Sequence, residues 1–362
     1  MDRNALESAQ GCVTTDPGPK QELPPQALLE NTNEDTKRQI AEHFFGILAE
    51  SYEPSSLAPF FDFYHKEVKR LHTGITPLVQ GLHTKTHKDL MHIRDMVSNL
   101  RTEPRSNVRQ SLHPNFATEN DMSLDRLVDL TIRLWLMVNV RDDSLSMKLW
   151  TPGQFSARWD ESDSLDTFLS HQFPPSTTKL QLKESRLEMK FTVAYMVRTC
   201  RLQVKWTDDL VNHLRLDRGP DVKTLSVFPH KDFLVAHLKN GQTNTRRRSV
   251  LPQKLVRETI MSLNMLFPQY DPATQALLRE YGQTFDSVPP FEGPRKLTLR
   301  EFSYWRDHLV DLHDVFQAEP DSWRQLFFDR RNPQQWWTFW IAMIIFFLSV
   351  ASLGTSIVQV VI

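Results

Sequence analysis

Residues 336–362 read WWTFWIAMIIFFLSVASLGTSIVQVVI and carry no charged side chain. A helix rises about 1.5 Å per residue, so about 20 apolar residues cross a hydrocarbon core about 30 Å thick. Trp336, Trp337 and Trp340 gather at the upstream end, where indole rings favour the headgroup boundary. Arg330 and Arg331 stand just before them and no basic residue follows, so the positive-inside rule puts the upstream side in the cytosol. A buried core helix seldom runs this long without charge. The stretch is therefore expected to be one C-terminal transmembrane helix, with the lipid bilayer as its first partner. So late in the chain, it would insert after synthesis as a tail anchor. With no basic segment beyond it, the endoplasmic reticulum is favoured over the mitochondrial outer membrane.

Small residues line part of this segment: Thr338, Ala342, Ser349, Ser352 and Ser356, with Ala351 and Thr355 beside them. Small residues four apart let helices approach closely in lipid, so the pairs Ala351/Thr355 and Ser352/Ser356 are candidate self-association contacts and the chain a candidate homo-oligomer. Such residues are also common in spans that stay alone.

Working upstream, 44 acidic residues nearly cancel 43 basic ones among 362, so no strong field points to nucleic acid, and none is expected as a partner. Mean hydropathy is only -0.43, which places the apolar material in one segment. Cys12 and Cys200 are too few for a disulfide framework, and no Asn-x-Ser/Thr acceptor occurs; both suit a reducing compartment. Eleven glycines against 22 prolines and 22 phenylalanines suggest helices punctuated by proline.

Residues 1–35 are rich in Pro, Gln, Glu and Asn without an apolar run, which reads as a disordered leader and not a signal peptide. Residues 36–100 are expected to form a helical hairpin or coiled-coil-like region. A first helix starts near Asn33 to Thr36 and carries Ile40, Phe44, Phe45 and Leu48. A second carries the series Leu57, Phe61, Tyr64, Val68, Leu71, Ile75, Leu78, Leu82, whose steps of four and three make a heptad seam. Gly74 and Pro77 are expected to kink it. Residues 101–123 are polar, broken by Pro104 and Pro114, and read as a linker.

Residues 124–318 read as a mainly helical core domain with short strands. Asp125 to Val140 is strongly apolar, and Ser164 to His171 forms a short helix. A helix over Glu184 to Thr199 leads into a strand at Leu202, Val204 and Trp206. Thr207 is expected to cap a helix over TDDLVNHLRL, with Asp208 and Asp209 in its first turn. Lys223 to Phe228 reads as another strand, and Pro229 opens a further helix. Strand, helix, strand, helix in so short a span suggests a small α+β module of winged-helix-like type. Helices are expected over 252–267, 271–282 and 298–317. Residues 319–335 form a juxtamembrane segment whose Trp323, Leu326, Phe327 and Phe328 would lie in the interface.

No catalytic, cofactor-binding or metal-binding residue is expected. His83 and His87 are four apart, but Lys85 stands where a zinc protease motif needs its acid, so a solvated face is the ordinary reading. Adjacent residues on a helix point about 100° apart, so neither Asp142-Asp143 nor Asp208-Asp209 converges by itself. No Gly-rich phosphate loop, Gly-x-Ser-x-Gly elbow or Cys-x-x-Cys occurs, and Cys200 reads as a core residue. Arg246-Arg247-Arg248-Ser249 reads first as a soluble loop, with a basophilic kinase site that makes Ser249 a candidate phosphosite, or a phosphate or lipid-headgroup contact, as its alternatives.

The run Asp329-Arg330-Arg331-Asn332-Pro333-Gln334-Gln335-Trp336-Trp337-Thr338-Phe339-Trp340 resembles a juxtamembrane signature in a large set of uncharacterised filamentous-fungal proteins. Trp206-Thr207-Asp208-Asp209-Leu210 and His213-Leu214 look like another piece of the same group. The resemblance implies a fungal source and a membrane tail, and no reaction. The expected protein is a mainly α, membrane-tethered, non-enzymatic adaptor for an unknown protein partner, its body in the cytosol. A membrane-anchored enzyme with a site assembled from distant residues is one alternative, and a regulator released from its anchor is another.

Overall fold

Asn33 stops an extended stretch, and its side chain accepts the amide of Thr36, which starts helix α1 (Glu34–Phe45). Glu34 and Asp35 sit at the positive end, and Gly46, at φ 66, ends the helix in the left-handed conformation that glycine adopts without penalty. The computed structural model describes residues 26–73, 85–140, 157–178, 186–219, 222–243, 249–283, 285, 297–318 and 333–361. Part of the expected leader is packed: Leu28 is buried, its amide donates to the Lys85 carbonyl, and Ala27 bridges to Thr86. Residues 1–25 lie outside the described residues.

Leu57, in the 3-10 turn before helix α2 (Ala58–Thr73), and Phe61, Tyr64 and Val68 within it are buried along the expected seam, with Phe60 and Phe63 widening it. The seam positions Ile75, Leu78 and Leu82, and the kink at Gly74 and Pro77, lie outside the described residues. Thr86 and Asp89 form a reciprocal capping box that starts α3 (His87–Asn99). Residues 101–123 differ from the expected linker. They hold α4 (Arg105–Leu112), which buries Val108 and Leu112, and the Arg105 guanidinium meets Asp129 at 3.0 Å over the Trp159 ring. Composition hid this helix because its buried face includes an arginine with a distant partner. Helix α5 (Asp121–Leu136) is buried from Leu127 onward apart from Arg133, and ends at Met137, φ 49.

After α6 (Leu165–Gln172), the helix expected over 184–199 is cut back to α7 (Val193–Thr199), because Thr192 caps it through the Tyr195 amide and Arg186 bridges to Thr298. Strands β1 (Leu202–Trp206), β2 (Leu216–Arg218) and β3 (Lys223–Val227) form one sheet in the order β1-β3-β2. β1 runs parallel to β3 with Leu202 opposite Lys223, and β2 runs antiparallel to β3 with Leu216 opposite Leu225. This mixed sheet does not bear out the winged-helix label, which needs an antiparallel wing.

The remaining helices are α8 (Lys231–Thr243), α9 (Gln253–Leu266), α10 (Pro272–Glu280), α11 (Arg306–Gln317) and α12 (Pro333–Val361). The helix expected over 298–317 is split. Leu299–Glu301 is a single 3-10 turn, and buried Glu258 accepts the amides of Ser303 and Tyr304 at 2.7 Å each, holding the chain off helical geometry between them. The architecture is mainly helical with one small sheet. The core joins α1, α2 and α8 through rings: Phe45 lies 4.8 Å from Phe60, 5.7 Å from Phe233 and 5.2 Å from His237.

Several core groups are ionisable. Burial lowers His87 to about 4 and both His213 and His237 to about 3, from an ordinary 6.5. The unfolded chain takes up protons near 6.5 that the fold refuses, so stability falls as pH drops below that value. Asp129 and Asp209, raised by burial to about 6, act with opposite sign: the fold keeps their protons between about 6 and 3.8, so acidification relieves their cost. With three histidines against two aspartates, stability should fall by about 2 kcal/mol between pH 7 and about pH 5.5. Urea denaturation of the detergent-solubilised chain at the two pH values measures this, and a gain on acidification would contradict neutral burial of the histidines.

Candidate functional site

Where the carboxyl end of β1 meets the starts of α2 and α8, the surface opens into a cleft of about 420 Å³. Thr207 does not cap a helix there. Its amide completes the sheet by donating to the Val227 carbonyl, and its hydroxyl accepts the Asp209 amide. Only a 3-10 turn, Leu210–Asn212, follows, before Leu214 at φ 59 turns the chain into β2. The expected helix fails because Asp209 points inward. Its carboxylate accepts the amides of Asn139 and Val211 and the side-chain amide of Asn212 at 2.7 Å, tying the end of α5 to the sheet.

Asp208 points the other way, into the cleft. His230 Nε2 lies 2.8 Å from its Oδ1, and Lys66 Nζ lies 3.2 Å from its Oδ2. Burial alone would raise this carboxyl, but the His230 hydrogen bond and charge, with Lys66, hold it below its ordinary value. Asp232, in the first turn of α8, is 8% exposed and raised by burial, against the pull of His230 and two backbone amides. Among the described residues its Oδ2 has no hydrogen-bond partner, and neither does the enclosed Nε1–H of Trp206, whose ring packs against Phe267 at 5.8 Å and Phe285 at 6.4 Å. An enclosed polar group left without a partner costs about 1–3 kcal/mol. One cleft thus keeps a donor and an acceptor, both unused, beside an aromatic wall.

The lining contains no Ser, Thr or Cys nucleophile for the His230–Asp208 pair to activate. Among the described residues no three His, Cys, Asp or Glu side chains converge on a metal position. His87, expected on a solvated face, is buried, with Nδ1 2.9 Å from the Tyr64 hydroxyl, because α3 turns it onto α2. His83 and the pair Asp142-Asp143 lie outside the described residues, and Cys200 is a buried core residue. Sequence reasoning missed the cleft because its members come from three distant segments, with Lys66 and Asp208 142 positions apart.

The candidate phosphosite Ser249 is half-buried, with Oγ 3.0 Å from His237 Nδ1. His237 Nε2–H donates to the Trp135 carbonyl, so in the neutral ring Nδ1 accepts and the serine hydroxyl donates. Arg246-Arg247-Arg248 lie outside the described residues.

On α12, Trp336 and Trp340 are half-buried against each other with rings 6.0 Å apart, and Trp337 is exposed. Ile341, Ile344, Ile345, Phe346, Phe347, Leu348 and Val350 are each more than half exposed. Ala351 and Ser352 are exposed too, whereas the side chains of Thr355 and Ser356 are not among those described. Arg330 and Arg331 lie outside the described residues. Among the described residues no helix is long and apolar enough to cross a membrane, and on α12 the described side chains stop at Ser352. Set against family models, functionally described proteins and solved structures, the chain matches none.

Replacing His230 with Ala should raise the Asp208 pKa to its ordinary value or above, because burial then acts against Lys66 alone. Carboxyl-carbon NMR titration reads this, and an unmoved value would show that the pair does not set the charge of the cleft.

Proposed function

We propose that this chain is a membrane-tethered interaction protein without catalytic activity, holding a helical body on the cytosolic face of an internal membrane, the endoplasmic reticulum first among them. The observation that carries this is the exposure of large apolar side chains on every side of α12. Successive helical residues turn by about 100°, so the consecutive Ile344, Ile345, Phe346, Phe347 and Leu348 sweep the full circumference. All five are 55–65% exposed. A helix apolar all round needs an apolar surrounding on every side, and each such side chain gains about 1.5–3 kcal/mol when it leaves water. The helix spans 29 residues, about 43 Å at 1.5 Å each, against a hydrocarbon core of about 30 Å. The tryptophans at its start and Arg330 and Arg331 upstream suit an interface on the cytosolic side. Tethering would raise the local concentration of partners sharing that membrane.

Carbonate extraction tests the tether. The full chain should stay with the membranes, a version ending at Gln335 should be released, and an N-terminal tag on sealed membranes should be open to protease. Release of both forms would mean that α12 packs against protein instead. Within the membrane, Ala351/Thr355 and Ser352/Ser356 supply a small face for self-association. Leu at Ser352 should weaken dimerisation in lipid about tenfold, as read by energy transfer between labelled chains, and unchanged dimerisation would remove that contact.

A further inference from the structure

We infer that the cleft at the end of β1 binds a ligand presenting an ammonium group beside a carbonyl or carboxylate oxygen, with a small apolar body. Lys66, His230 and Asp208 are engaged with one another. Asp232 is held only in part: two backbone amides and the His230 charge act on its carboxyl, yet the residue is 8% exposed, it lines the cleft, and its Oδ2 accepts nothing from the described residues. A buried carboxylate oxygen of this kind is matched by a cationic N–H donor, whose hydrogen bond is charge-assisted. Asp62 adds a second carboxylate to the same lining.

An independent observation points to the other half of the ligand. The Trp206 indole N–H is enclosed without an acceptor and lines the same cleft. Indole is a donor only, so it calls for an oxygen or another acceptor on whatever occupies the space. A simple cation would leave the indole unmet, and a simple anion would leave Asp232 unmet. An ammonium and an oxygen on one ligand, three bonds apart through two carbons as in an α-amino acid, offer a partner to each. Phe63, Phe285 and the Trp206 ring provide an apolar wall for a side chain. At about 420 Å³ the cleft suits one residue-sized ligand and not an extended chain. Two sources share this chemistry, a free α-amino acid and the N-terminal residue of a peptide. The inference does not depend on α12 being a membrane anchor.

The test titrates the full chain in detergent micelles, labelled with 5-fluorotryptophan, with L-leucine, L-leucinamide and N-acetyl-L-leucinamide. The Trp206 fluorine resonance is identified by its loss in Trp206→Phe. It should move with one or both of the first two probes and stay still with the third, which lacks the ammonium. Stronger binding of leucine than of leucinamide assigns a free amino acid, and the reverse assigns a peptide N-terminus. Asp232→Asn should weaken binding about tenfold or more, and Trp206→Phe, followed by calorimetry, should weaken it less. The other tryptophan resonances report whether Asp232→Asn keeps the fold, and Asp62→Asn with Trp206→Phe carries the test if it does not. No shift with either ammonium probe, an equal shift with the acetylated one, or unchanged affinity in the variants would overturn the assignment.

Discussion

His237 is fully buried and cannot take a proton at neutral pH, and much of the body is arranged around that fact. Its Nε2–H donates to the Trp135 carbonyl at the end of α5, and its ring edge meets Phe233 at 4.5 Å and Phe45 at 5.2 Å. Trp135 in turn donates its indole N–H to the Phe44 carbonyl, and the Arg94 guanidinium lies 4.6 Å from its ring. Four helices therefore converge on one imidazole: α1 through Phe45, α3 through the Arg94 charge, α5 through a carbonyl and α8 through the histidine itself, with Phe60 of α2 packed behind Phe45 and Phe233. A charged imidazole here would turn a donor-acceptor ring into two donors inside an aromatic shell, and the serine hydroxyl at Nδ1 would have to reverse.

Asp209 plays the matching part for the sheet. Three hydrogen bonds converge on its carboxylate, from the chain following α5, from its own turn and from Asn212. Burial still raises its pKa to about 6, so these donors do not fully replace water. What they do is orient the connection after β1. Once Asp209 faces inward, its neighbour in an extended chain faces outward, and Asp208 reaches the cleft already aimed at His230. The inner carboxylate thus sets the position of the outer one.

Local chemistry was legible wherever one segment decides its own conformation. Asn33, Ser164 and the alternation of Leu202, Val204 and Trp206 announced their elements, and so did the apolar run of α5. The misreadings share a cause. Residues 101–123 looked like a linker because Arg105 seems to belong in water until Asp129 and Trp159 are placed around it. TDDLVNHLRL has helical spacing and a capping threonine, yet tertiary demands on Asp209 and Thr207 outweigh a preference worth only about 1 kcal/mol. His87 appeared solvated because its partner, Tyr64, lies on another helix. The cleft was invisible for the same reason, since no spacing links Lys66, Asp208 and His230. Even so, Trp206-Thr207-Asp208-Asp209, singled out as a motif, contributes two of its lining residues.

The cleft is also poorly explained by stability alone. Placing Asp208 and Asp232 on either side of His230 sets two carboxylates near each other in a partly enclosed space, and burial raises one of them while the histidine lowers the other. A fold under pressure only to be stable would fill such a hollow with apolar side chains, which is often neutral or favourable when a buried ion pair is replaced. It would also turn the Trp206 indole toward an acceptor, as Trp135, Trp159 and Trp305 are turned in this same chain. Trp135, Trp159 and Trp305 follow the rule that a buried indole finds a partner, and Trp206 departs from it in the cavity where an unpaired carboxylate oxygen also stands. Two departures from the same rule in one place are better explained by a ligand that completes both than by two separate packing faults.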